Sequence, residues 1–148
     1  MPCGGILMLR KRVANDYLLD HDFRKKNPIF DKFDPHLGNV GEYLEYTIVD
    51  NSGKYIGHAM IYQIDRKKLE AEVGLSIYDT SAHNKGYGTQ TLTELIAICR
   101  LMHAKRIHSK VISGNYNAMR MNEKCGMKNC GTANMQGYTF ILYELYLS

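Results

Sequence analysis

His83-Asn84-Lys85-Gly86-Tyr87-Gly88-Thr89 is the stretch on which the reading of this chain turns. Two glycines one residue apart let a backbone approach a ligand closely, because neither carries a Cβ. A helical pattern follows at once. The first amide N–H groups of a helix have no partners within it, and they lie at the positive end of its dipole. Such a turn seats an anion such as a pyrophosphate, and Lys85 adds a mobile positive charge. A plain structural turn before a helix also uses glycine, so the flanks must decide. The stretch is not a Walker loop, since no Gly-Lys-Ser/Thr follows at the required spacing. It is not a dinucleotide fingerprint either, since Thr91 stands where the third glycine belongs.

Downstream, Leu92, Leu95, Ile96, Cys99 and Met102 fall at helical spacing, which predicts a helix from Tyr87 to His103 with one buried face. Upstream lie three strands at hairpin spacing: Glu42–Asp50, then Lys54–Ile64 after the turn Asn51-Ser52-Gly53, then Leu69–Tyr78 after Asp65-Arg66-Lys67-Lys68. The last leads straight into the glycine loop. Further out, Ile6–Val13 reads as a first strand. Asn15 is an N-cap candidate, with Asp16 in the first turn of a helix ending near Lys26. Pro28 to Gly41 is irregular, with breakers at Pro28, Pro35, Gly38 and Gly41, and it carries Phe30, Phe33, Asp31 and Asp34. On the far side, Arg106–Ser113 reads as a strand. Asn117–Lys124 reads as a helix stopped by Gly126. Met127–Ala133 and Tyr138–Leu147 form a closing pair about Gln136-Gly137. No repeat, low-complexity segment or linker interrupts this order. One α+β domain with a mixed sheet, spanning 1–148, is expected.

The composition agrees. The chain has 148 residues, 45% hydrophobic and 23% charged, as in ordinary globular proteins. No apolar run is long enough to span a membrane, and Ile6-Leu7-Met8-Leu9 is too short for a signal peptide. Cys3, Cys99, Cys125 and Cys130 show no metal-ligating spacing, so no metal is expected. They read as reduced thiols of a cytoplasmic protein, with Cys99 and Cys125 in the core and Cys3 exposed. The net charge of +4 is uneven: residues 1–50 carry seven Lys/Arg and eight Asp/Glu, residues 105–148 six and two. An acidic first third suits a cationic substrate and a basic last third a phosphorylated ligand. Runs such as Arg24-Lys25-Lys26 and Arg66-Lys67-Lys68 read as solvated turns and faces.

In this order of elements the chain resembles the GCN5-related N-acetyltransferases (GNAT), over roughly Tyr43 to Leu147. That family's loop has the form Arg/Gln-x-x-Gly-x-Gly/Ala; here it reads His83-Asn84-Lys85-Gly86-Tyr87-Gly88, with His83 in the Arg/Gln place. A second motif, Asn-x-x-Ala-x-x-x-Tyr-x-Lys-x-Gly-Phe, appears as Asn115 to Met127, with Asn122 where the tyrosine stands. The strand Glu72-Val73-Gly74-Leu75-Ser76-Ile77 is similar to strands of the branch that includes ribosomal-protein N-terminal acetyltransferases. The resemblance implies a mostly antiparallel sheet of about seven strands, splayed between the fourth and fifth and flanked by helices. It implies acetyl-CoA as cofactor, with the diphosphate on the amides of Lys85, Gly86, Tyr87, Gly88 and Thr89, and with His83 and Asn84 beside them. The amide-rich pantetheine needs a strand edge left unpaired. Ser76, Ile77 and Tyr78 on one strand and Asn115 beyond the next are expected to meet it, with Lys124 nearby. Asn115 reads equally well as a helix cap.

The implied reaction is acetyl transfer to a primary amine by direct attack. An alkylammonium has a pKa of about 10 and must lose a proton before attacking. Glu72 is the candidate base. A backbone N–H near Ile77 or Tyr78 is the candidate oxyanion donor. In the family a tyrosine protonates the leaving thiolate. Asn122 cannot, so Tyr116, Ser113 or water must help, or the thiolate leaves unassisted. A thiol pKa of roughly 8.5 makes that cost only a few kcal/mol. The acceptor could be a protein or peptide N-terminus, a polyamine, an aminoglycoside or another small amine, drawn by Asp16, Asp20, Asp31, Asp34, Glu42 and Glu45. Two other classes stay open: a coenzyme A-binding protein with weak or no turnover, and a basic module that docks on ribosome or nucleic acid. No RNA-binding signature supports the latter. A homodimer is compatible with the sequence.

Overall fold

A computed structural model describes residues 8–26 and 41–147. Seven strands of the described residues form one sheet: β1 (Leu9–Arg10), β2 (Leu44–Val49), β3 (Tyr55–Asp65), β4 (Glu70–Ile77), β5 (Arg106–Ile112), β6 (Lys128–Met135) and β7 (Tyr138–Tyr146). Among the described residues three α-helices accompany them: α1 (Ala14–Lys26), α2 (Tyr87–Leu101) and α3 (Tyr116–Lys124). The strand order is β1-β2-β3-β4-β5-β7-β6. Every neighbouring pair is antiparallel except β4–β5. That parallel pair follows from the connection: β4 and β5 are joined through α2, and a crossover helix returns the chain to run the same way. Gln136 and Gly137 both take positive φ, 52° and 79°, as a tight hairpin turn between β6 and β7 requires.

Period-two alternation sets the two faces of the sheet. Ala59, Ile61, Ala71, Val73, Ile107 and Val111 are buried in one core with Leu92, Leu95, Ile96 and Cys99 of α2. On the opposite face, α1 is tied down by polar contacts. Tyr17 donates to Glu45 at 2.9 Å, Thr47 donates to Asp16 at 2.9 Å, and Tyr55 donates to Asp20. β3 is the central strand of this half, and its first eight residues are buried in succession.

The sequence expectations hold for β2, β3, β4, β5, α2 and α3 to within a few residues. The start of the chain differs. Of Ile6–Val13, only Leu9 and Arg10 pair as strand, and the residues before Met8 lie outside the described ones. α1 begins one residue before Asn15. Its cap is Val13, whose N–H donates to Asp16 Oδ2 at 2.8 Å, so the carboxylate at the third helical position reaches back to the cap. The irregular segment, with Phe30, Asp31, Phe33 and Asp34, also lies outside the described residues, as does Cys3. Cys99 is buried, Cys125 half-buried and Cys130 exposed. Among the described residues no helix is long and apolar enough to cross a membrane.

Candidate active site

β4 and β5 pair only over Glu70–Glu72 and Arg106–His108, and then part. Tyr78 N–H donates to Ile56 O at 2.8 Å, so Tyr78 turns its N–H toward β3. Alternation therefore turns the N–H groups of Leu75 and Ile77 the other way, into the fork. Likewise Ser113 N–H donates to Thr139 O at 2.9 Å, which leaves the N–H groups of Lys110 and Ile112 facing the fork from β5. Backbone donors facing each other without a strand between them need a partner. An extended chain of amides fits that edge.

The fork opens into a cleft of about 230 Å³ that passes through the sheet. On the α2 and α3 side it is lined by Leu92, Ser109, Asn115, Met121 and Asn122; on the other face it reaches His58, Tyr62, Gly74, Ser76 and Lys110. Glu72 stands at the vertex, on the last paired position of β4, and is 8% exposed. Its Oε2 accepts a hydrogen bond from Tyr62 OH at 2.5 Å and an ion pair from Lys110 Nζ at 2.8 Å. Burial first, and the facing Glu72 carboxylate second, push the Tyr62 phenol far above its ordinary pKa, so it stays a donor. Below the vertex, Arg106 bridges Glu70 at 2.9 Å and Glu144, and His108 lies 3.4 Å from Glu70. The Arg106 hydrogen bond holds the Glu70 carboxyl below the usual range.

α2 starts at the glycine loop as expected. Gly86 is the N-cap, at φ +82°, and no side chain caps the helix. The N–H of Gln90 already bonds Gly86 O at 3.1 Å; those of Tyr87, Gly88 and Thr89 come earlier in the helix, where no intrahelical acceptor exists. Asn84 also takes a positive φ, 62°, and Asn84, Lys85 and Gly86 are exposed. His83 Nε2 donates to Ile77 O at 2.8 Å, tying the loop to the end of β4. That contact uses an Ile77 carbonyl that would otherwise face the fork. The two glycines differ in purpose. A Cβ on Gly86 would meet nothing within 4 Å, so its need for glycine is conformational. A Cβ on Gly88 would come within 2.8 Å of Met121 Sδ, so Gly88 lets α2 and α3 touch rather than admitting a ligand.

In the second motif, Asn115 is a helix cap, its Oδ1 accepting Ala118 N–H at 3.2 Å, and it also lines the cleft. Asn122 is 1% exposed and lines the cleft too. Its Nδ2 donates to Ala118 O at 2.8 Å, while its Oδ1 has no partner. Tyr116 is 67% exposed and does not line the cleft, and Lys124 is exposed at the end of α3. The structure thus gathers Ser76, Asn115 and Asn122 on one cleft, joins Glu72 to it through Tyr62 and Lys110, and leaves Tyr116 away from it. Tyr78 N–H is spent on Ile56, so of the two proposed oxyanion donors only Ile77 N–H faces the fork.

A family profile described as "Acetyltransferase (GNAT) domain" matches residues 18–128. The chain belongs to this GNAT acetyltransferase family. Among solved structures it is similar to a spermidine N-acetyltransferase from Vibrio cholerae in complex with CoA and spermine, at 15% identity over 93% of this chain and 94% of that one, TM-score 0.77. It is also similar to RimJ from Mycobacterium smegmatis in complex with CoA-disulfide, at 15% identity over 93% and 80%, TM-score 0.79. At such identities the likeness is one of fold. A search of curated proteins finds no match.

Within this GNAT fold four of the acids expected to draw a cationic substrate already have partners. Asp16 pairs with Arg10, Asp20 with Arg12, Glu42 with Arg66, and Glu45 lies 3.7 Å from His58. Asp31 and Asp34 lie outside the described residues. Sequence reading missed Tyr62 and Lys110. Tyr62 sits opposite Glu72 in the β3–β4 register, and Lys110 lies two residues past Glu72's parallel partner. An alternating Lys110 on a strand was visible in the sequence; its nearness to Glu72 was not.

Proposed function

We propose that this chain is an acetyl-CoA-dependent N-acetyltransferase acting on a primary amine by direct attack, with Glu72 as the base. The observation that carries the reading is the fork itself: an unzipped pair of strands with a buried carboxylate at its vertex and a cleft through the sheet. The residues present fit the cofactor. Uncapped amides open α2, fork-facing amides of Leu75 and Lys110 match a string of amides, and Asn122 leaves a buried acceptor atom unpaired in the same cleft. The similar structures that hold CoA and CoA-disulfide support the same pocket by analogy.

Acetyl-CoA supplies an acyl group on a good leaving group. The chain's own residues do the rest. The loop amides from Lys85 to Thr89 hold the diphosphate. Glu72, with one oxygen already taken by Tyr62 and Lys110, receives the ammonium proton of the acceptor. Ile77 N–H is placed to donate to a developing oxyanion. Asn122 Nδ2 gives one of its two N–H groups to Ala118 O and its Oδ1 is bare, so the carboxamide offers the cleft an acceptor, and an amide N–H is too weak an acid to be a proton source. It can hold an N–H or a thiol S–H but cannot neutralise a thiolate. Asn122 would therefore supply no acid to a leaving thiolate, and the proton would have to come from water.

Calorimetry with CoA and thiol release across an amine panel test the reading together. The panel contains a polyamine, an aminoglycoside, an α-amino acid and a short peptide with a free N-terminus. Binding of CoA with turnover of at least one amine is expected. Glu72→Gln should bind CoA as before and lose about a hundredfold or more in turnover. Absence of CoA binding would refute the assignment. Binding without turnover of any amine would leave a coenzyme A-binding protein in its place.

A further inference from the structure

Lys110 occupies the position that an acceptor amine must reach. Its Nζ is 2.8 Å from Glu72 Oε2, on the face of the sheet that the cleft reaches by passing through the fork. Its side chain is 29% exposed, so the ammonium is half withdrawn from water. It is the first residue of β5 on this face beyond the last paired position, and its own backbone N–H faces the unpaired edge. Among the described residues no other lysine lines the cleft. Lys67, Lys85 and Lys124 are exposed elsewhere, and Lys68 is exposed at a neighbouring pocket that Glu72 and Lys110 also line. An amine, a carboxylate able to take its proton, and the cleft assigned to a thioester thus meet at one point.

We propose that the protein acetylates itself on Lys110. The inference rests on the acetyltransferase reading given above. The Lys110 ammonium gives a proton to Glu72, and the freed nitrogen lone pair attacks the carbonyl carbon of the acetyl thioester. A carbon–nitrogen bond forms, the carbon–sulfur bond breaks, and its electron pair leaves on sulfur. The nitrogen loses a second proton as the amide forms. One of the two protons ends on the thiol and the other in solvent, so ammonium plus thioester gives amide, thiol and a proton. Holding the nitrogen beside both base and acyl donor makes the step intramolecular, which is where proximity contributes most. The product amide carries no charge, so Glu72 loses its ionic partner and keeps the Tyr62 hydrogen bond.

The test uses the full chain incubated with acetyl-CoA, read by intact mass and peptide mapping, beside calorimetry of CoA binding. The expected result is one acetyl group per chain, placed on Lys110, at a rate per chain that does not change on dilution. Lys110 should be modified at least roughly a hundredfold faster than Lys67, which has no such base and donor beside it. Lys110→Arg should bind CoA and lose the modification, and Glu72→Gln should slow it. If CoA binds and an added amine is acetylated while Lys110 stays unmodified, the proposal is overturned and the acetyltransferase reading stands. Acetylation spread evenly over the exposed lysines would overturn it as well. If CoA does not bind, both fall, and the calorimetry shows that the failure began with the cofactor.

Discussion

Asn122 keeps one polar atom of its carboxamide bonded and the other bare, at a depth where water is excluded. A buried acceptor without a partner costs about 1–3 kcal/mol, while replacing the whole group by an apolar one of like shape is often neutral. A residue kept only for stability would not be built this way. Asn122→Leu should therefore leave the melting temperature unchanged or raise it, while weakening CoA binding or turnover. Thermal denaturation and calorimetry on the same variant check both halves; a large loss of stability with unchanged binding would make Asn122 a structural residue. The sequence showed that position 122 departs from the family's tyrosine. It could not show which end of the amide faces the cleft, because the Ala118 carbonyl that settles it comes from the helix itself. The same limit applies to Gly88, where a spacing shared with Gly86 hid a packing role against Met121.

At the scale of elements, α1 is clipped to the sheet by carboxylates. Asp16 accepts from Val13 N–H, from Thr47 Oγ1 and from Arg10, joining α1, β2 and β1. Burial alone would raise its pKa, but those hydrogen bonds and the Arg10 charge outweigh it and bring the carboxyl down to about 2. Glu45, beside His58 foremost and Tyr17, is also held at about 2. A folded pKa below the unfolded value means that the contribution is full above the unfolded pKa of 3.8 and is lost as pH falls through that value toward 2. For Asp16 this amounts to something on the order of 2 kcal/mol. Urea midpoints taken down through that window should fall for the native chain and fall distinctly less for Asp16→Asn, whose stability is already lower at neutral pH. Parallel curves would remove Asp16 from the acid limb. The acids of this third were legible as charges and were read as bait for a cationic substrate. Their partners are Arg10, Arg12, Arg66 and His58, and pairing at that range depends on the sheet order. A second miss has a local cause. Counting register from the turn puts Gln63 opposite Glu72, since Asp65 pairs with Glu70. The bulge between Tyr62 and Asp65, with Gln63 at φ 49°, shifts the count by one and delivers Tyr62 instead.

For the molecule as a whole, the order of elements around residues 83–89 was enough to expect one mixed sheet, while its strand number and the parting of the fourth and fifth strands came from the family resemblance. Periodicity and turn chemistry are local, so they placed the elements and left the pairing between distant strands to the resemblance. What could not be read was the depth of the cleft and the face each group presents. The fork makes a prediction about the backbone that needs no knowledge of the acceptor. Leu75, Ile77, Lys110 and Ile112 carry N–H groups without a strand to receive them, whereas Ser76, next to two of them in sequence, turns its N–H toward β3. In the free protein the first four should exchange with deuterium as a distinct fast set, although they lie in strands, and Ser76 should be protected with the rest of the sheet. If pantetheine fills the fork, CoA should slow the four and leave Ser76 unchanged. Saturation at a hundred times the dissociation constant adds about 2.7 kcal/mol to global stability, so the local slowing must be judged against that general rise. Protection of the same four amides before any ligand is added would mean that the strands are closed in solution. A uniform rise with CoA, with no excess at the fork, would mean that the cofactor binds elsewhere on the molecule.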